Sequence, residues 1–223
     1  PRAEAEAEAE DDSIGANISA SYFELRRNML IIALVFPLVL MALGGLGDIQ
    51  GSLSAYYHHD ARGTRTVFTG VLWAVGAFLV FYKGYSDGEN IALNIAGLSA
   101  LTVSLFPMDW PEDAAATISG RVHYISAAIF FLAIAYVCIF RYKDTLQLMK
   151  DETRRAAFAN SYRVIGALMV LLPPGIFAIF QIAPRAADAQ GFPVILAVEA
   201  VGIWVFAAFW LTKSKEIALL EKQ

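Results

Sequence analysis

Six uncharged, apolar stretches divide this sequence, and the charged residues gather between them. They cover residues 28–47, 66–82, 90–108, 122–140, 164–184 and 189–212, the last interrupted only by Glu199. A hydrocarbon core about 30 Å thick is crossed by roughly 20 apolar residues in a helix, so each stretch is long enough to cross once. The runs are continuous rather than alternating, which favours helices over barrel strands. The expected fold is therefore all-α: a polytopic membrane bundle of six transmembrane helices. Composition agrees, because 17% of residues are charged, against about a quarter in soluble domains.

Orientation follows from the basic residues, which are retained on the cytoplasmic side. With the amino terminus inside, 13 of the 17 Lys and Arg fall in inner segments. Arg62, Arg65, Arg121 and Arg185 fall outside. The bias predicts both termini in the cytoplasm, and the expected location is a bacterial inner membrane. The organisation expected is a cytoplasmic acidic tail and interfacial helix at 1–27, a membrane domain at 28–213 and a cytoplasmic tail at 214–223. The opening Ala/Glu alternation lacks the basic start and cleavage site of a signal peptide. A net charge of −4 with no basic block gives nucleic acid no footing as a partner. Cys138 is the only cysteine, so neither a disulfide nor a thiolate metal cluster can form within one chain.

Within the spans, Ala96, Ala100 and Ser104 recur every four residues and predict a face small enough for a close helix neighbour. Pro37 and the Pro173-Pro174-Gly175 run remove amide donors and are expected to bend or break their helices. Transport through such a break is a distant third reading of function.

The first outer connection carries the chemistry. There His58, His59 and Asp60 stand together, with Ser54 four residues before His58 and Arg62 four after it. In a helix, Ser54, His58 and Arg62 would share one face. His123, at the outer end of the fourth span, puts all three histidines on one side. Glu199 lies about two turns below the outer end of the sixth span, roughly 10 Å deep. A carboxylate in hydrocarbon costs a few kcal/mol, so it normally faces the bundle interior and a partner. His58, Asp60, His123 and Glu199 are the ligand types that hold one divalent metal such as zinc with a position open for water. Ser54, Tyr57, His58, Arg62 and Glu199 are the candidate catalytic residues, placed to act on an acyl or phosphoryl group at the membrane surface. No H-x-x-x-H or H-E-x-x-H spacing is present to enforce a ligand face. Adjacent histidines on a wet loop more often only hydrogen-bond.

The string Gly51-Ser52-Leu53-Ser54-Ala55-Tyr56-Tyr57-His58, together with Phe68-Thr69-Gly70, Tyr82-Lys83-Gly84-Tyr85, Leu105-Phe106-Pro107, His123 and Glu199, resembles a family of bacterial six-span membrane proteins of unknown function. The resemblance implies six spans and no assigned activity; the family pattern has one His followed by Thr where this chain has His58-His59. Ser54-Ala55-Tyr56-Tyr57-His58 also resembles, more weakly, the membrane metal-hydrolase superfamily that includes alkaline ceramidases. Those enzymes have seven spans and a final H-x-x-x-H pair, where this chain has only Glu199. Two functions are carried forward. One is an accessory or scaffold subunit of a larger membrane complex, with lipids and other membrane subunits as partners. The alternative is a metal-dependent hydrolase or transferase acting on lipid.

Overall fold

The computed structural model describes residues 2–59, 62–111, 115–182 and 193–222, with side chains described outside 2–12, 173, 176, 177 and 179–182. Seven α-helices follow in order among the described residues: α1 (Arg2–Gly44), α2 (Thr64–Phe81), α3 (Asp87–Leu105), α4 (Ile118–Tyr136), the single turn α5 (Lys143–Leu146), α6 (Glu152–Ile182) and α7 (Val194–Leu220). A 3₁₀ turn at Ser54–Tyr57 follows α1, and a π-helical segment at Val137–Arg141 continues α4 toward α5. No strand occurs among the described residues.

Four segments are long and apolar enough to cross a membrane: Ser13–Gly44, Thr64–Phe81, Ile118–Leu146 and Val194–Leu220. The chain is therefore built as a multi-pass membrane protein. The expected spans at 90–108 and 164–184 correspond to α3 and α6, which are helical but are not among these four. In α3, Asp87, Glu89, two asparagines and three hydroxyl residues dilute the apolar character.

Local chemistry sets several helix ends. Gly45, at φ +104°, turns the chain out of α1 in a conformation that suits glycine. Ser86 caps α3 by accepting from the Glu89 amide, and Thr117 caps α4 by accepting from the Gly120 amide. Pro107 lies just beyond the end of α3, as expected where a proline disfavours helix in the residue before it. Two expected interruptions are absent. Residues 1–27 and the first span were expected to separate, yet α1 is one helix of 43 residues through Arg27 and Pro37. Between Gly15 and Pro37 nothing in the sequence breaks a helix. Similarly, α6 is continuous across Pro173-Pro174-Gly175, so the expected break there does not occur.

The helices close into a ring. α1 packs on α2, α2 on α3, α3 on α4, α4 on α6, α6 on α7, and α7 returns to α1. Trp204 donates to the Leu34 carbonyl and Ser19 to the Glu221 carboxylate, which fixes α1 and α7 as antiparallel. The small face expected on α3 is buried at Ala96, Ala100 and Ser104. The closest approach lies one residue along: a Cβ on Gly97 would come 2.6 Å from the Gly76 carbonyl oxygen of α2. Aromatic packing around Trp210, Phe206, Phe209 and Tyr162 fills the end of the ring farthest from the 3₁₀ turn.

Candidate functional site

The connection from α1 to α2 folds inward and caps one end of the ring, burying Leu53, Ala55 and Tyr56. Two bonds clamp it to the start of α7: Leu196 N–H donates to the Gly51 carbonyl at 2.9 Å, and Leu53 N–H donates to Glu199 Oε2 at 2.5 Å. Because α7 begins at Val194, Glu199 lies about one and a half turns inside it, close to the depth expected. Its carboxylate receives a buried amide that the 3₁₀ turn leaves unpaired, which accounts for an acidic residue at that depth. The Tyr56 ring wedges against the end of α1, where a Cβ on Gly44 would collide with it. Burial pushes the Tyr56 phenol above its ordinary range.

Ser54 and His123 meet, although 69 residues separate them. His123 Nδ1 lies 2.9 Å from the Phe106 carbonyl oxygen and 3.2 Å from that of Val103. Carbonyls only accept, so Nδ1 carries the proton in the neutral ring. Nε2 is then the acceptor, and the Ser54 hydroxyl donates to it at 3.0 Å. His123 is 2% exposed, so this tautomer is fixed in a dry setting. Ser54 and Glu199 line a cavity of about 100 Å³ whose other walls come from α1, α2, α3, α4 and α7, including Phe36, Phe68, Val103, Ala127 and Ile203. A benzene ring occupies an apolar cavity of about 150 Å³, so the space here suits a smaller apolar group, a few methylene carbons. The arrangement supplies a nucleophile, its base and a group orienting the base, set over an apolar chamber.

The other expected residues take other places. His58 Nε2 donates to the Met108 carbonyl at 2.9 Å, and the ring stacks on Trp110 at 5.5 Å between centroids. His59 Nε2 lies 3.3 Å from the Gly44 carbonyl and 3.5 Å from an Asp48 oxygen. Tyr57 packs edge-on against His58 and Phe68 and lies under the Arg65 guanidinium. Arg62 corrects the shared-face expectation. The 3₁₀ turn stops at Tyr57, and Arg62 sits exposed at φ +53°, its guanidinium directed to the Leu43 carbonyl. Asp60 lies outside the described residues. Among the described residues, no three His, Cys, Asp or Glu side chains are grouped as metal ligands. The two His123 ring nitrogens and His58 Nε2 are each engaged by a protein partner.

Asp109 locks the neighbouring loop to the start of α4. Its Oδ1 accepts from the Thr117 hydroxyl at 2.6 Å and the Thr117 amide at 3.0 Å, and these bonds hold its carboxyl below the usual range. Only a glycine at 120 leaves room for that carboxylate.

A second polar group, unforeseen in the reading of charges, sits at the opposite end of α7. Lys213, Glu216, Glu89, Tyr162 and Thr145 are all at most 3% exposed. In sequence, Lys213 is one of the 13 basic residues of the inner segments. The signal available was Ser86-Asp87-Gly88-Glu89, whose S-x-x-E spacing marks a helix start with its Glu turned back on the preceding chain.

No family model, curated protein or solved structure matches the chain.

Proposed function

We propose that the protein is a six-span protein of a bacterial inner membrane, both termini cytoplasmic, that acts on an acyl lipid through Ser54 at the extracytoplasmic end. The observation that carries this is the Ser54 to His123 hydrogen bond over an apolar cavity. The thirteen-to-four distribution of basic residues supports the topology.

In this reading the first carbons of an acyl chain enter the cavity and bring the carbonyl to Ser54. The hydroxyl oxygen attacks the carbonyl carbon while His123 Nε2 takes the hydroxyl proton. As the tetrahedral carbon collapses, the bond to the alcohol or amine leaving group breaks and His123 returns the proton to it. Water, or the hydroxyl of a second lipid, then takes the acyl group from Ser54. The Phe106 and Val103 carbonyls stabilise the imidazolium formed between these steps.

The test is labelling of the full chain in lipid nanodiscs by a fluorophosphonate, with mass mapping of the adduct. Wild type is expected to label at Ser54, and Ser54→Ala not at all. His123→Gln is expected to slow labelling by roughly 10²–10⁴. A folded wild type that forms no adduct and turns over no acyl lipid overturns the catalytic reading. Retained lipid and a reproducible protein partner in that case would support the scaffold or accessory-subunit reading. Elemental analysis of the same sample reads the metal expectation directly: one zinc-type ion per chain, lost in His58→Ala, would replace the serine mechanism with a metal-assisted one.

A further inference from the structure

The buried cluster at the far end of α7 does not balance its charges. Lys213 Nζ lies 3.3 Å from Glu89 Oε1 and 3.9 Å from Glu216 Oε2, and it donates to Thr145 Oγ1 at 3.2 Å. Glu89 Oε2 accepts from the Tyr85 amide at 2.9 Å, and its Oε1, without a hydrogen bond among the described residues, faces the Lys213 ammonium. Glu216 presents Oε2, not Oε1, to that ammonium. Its Oε2 accepts from the Tyr162 hydroxyl at 2.5 Å, but Oε1 has no hydrogen-bond partner among the described residues, and the residue is 0% exposed. Two carboxylates against one ammonium leave one negative charge in excess. In a space closed to water such a charge is expensive unless something positive joins it.

The groups facing this excess come from every element around it. They are Glu89 on α3, Tyr162 on α6, Lys213 on α7 itself, and Tyr82 and Cys138 at the ends of α2 and α4. On α1, the antiparallel pairing with α7 sets Arg26 level with the Lys213 turn. Arg26 is 4% exposed, its Nε has no hydrogen-bond partner, and it forms no ion pair with Glu89 or Glu216 among the described residues. The site is near an aqueous face, because Glu89 is in the first turn of α3 and Glu216 lies about one turn from the end of α7.

We infer that this cluster binds one exchangeable monovalent cation, a proton or an alkali ion, at Glu216 Oε1. A proton there makes Glu216 a neutral acid that keeps its bond with Tyr162. A sodium ion would instead draw on Glu216 Oε1 and neighbouring oxygens, with Lys213 held by Glu89. Either occupant removes the excess charge, and neither involves Ser54, which lies near the other end of the bundle.

The full chain in lipid nanodiscs is tested at neutral pH by infrared spectroscopy and by thermal unfolding in NaCl against N-methylglucamine chloride. A carboxylic-acid C=O band in wild type, shifted by deuterium exchange, absent in Glu216→Gln and indifferent to sodium, identifies a proton. No such band, with an unfolding midpoint raised by sodium in wild type but not in Glu216→Gln, identifies an alkali ion. Wild type showing neither the band nor a sodium effect overturns the inference, and Arg26 is then the balancing charge. Both decisive readings are made on wild type, so a poorly folding variant does not blunt the test.

Discussion

Asp109 is the residue whose chemistry is most exposed to simple perturbation. Its carboxylate bonds to Thr117 lower its folded pKa, so the stability it contributes is present above the unfolded value and lost as pH falls through the folded one. The loop before α4 is therefore expected to loosen only below the ordinary carboxylate value of 3.8, and hydrogen exchange at the Thr117 amide reads that loss. Asp109→Asn is expected to abolish the acid step. Gly120→Ala should displace the same carboxylate without touching a charge, giving faster exchange at neutral pH. His123→Asn is expected to release the Ser54 hydroxyl while leaving the helices intact. At this scale legibility was uneven. Glu199 stood out because a carboxylate in an apolar run is costly, and its inward bond to Leu53 fits that cost. The pairing of Ser54 with His123 could not be read, because it is set by where two distant helix ends pack. The spacing of Ser54, His58 and Arg62 predicts a shared face only in a helix, and the 3₁₀ turn that forms stops at Tyr57.

Elements were easier to foresee than their joints. Long uncharged runs mark helices whatever their neighbours, whereas the continuity of α1 and α6 through prolines depends on packing that a linear pattern does not display. Lys213 and Glu216 fall where the expected membrane domain meets the 214–223 tail, yet α7 continues to Leu220 and buries both. The α2 to α3 contact carries a clear expectation. Gly76→Leu or Gly97→Leu must push the backbones apart, at a cost of about 1–3 kcal/mol from overpacking. Denaturant titration in mixed micelles reads it, and an unchanged midpoint would mean that the two helices part freely. Loss of the α3 cap in Ser86→Ala is expected to cost about 1 kcal/mol. It would also remove an acceptor from Arg141, which donates to the same hydroxyl.

For the molecule as a whole, the ring of six long helices and its two polar ends imply a fixed sidedness. Reporters in the 147–151 connection between α5 and α6 are expected inside the cell, and reporters after Met108 outside it. The reverse result would exchange the faces assigned to the cap and to the Lys213 cluster. The cap itself joins the first connection to the start of α7, with Leu53 and Glu199 separated by 146 positions. During synthesis at about 5–20 residues per second, the Leu53 amide is made roughly 7–30 s before its carboxylate partner exists. Until α7 emerges and inserts, the chamber has neither its last wall nor its clasp. A ribosome-bound chain halted short of Glu199 would thus have its earlier spans made and the cavity beside Ser54 still open on one side, so the chamber is completed late in biogenesis.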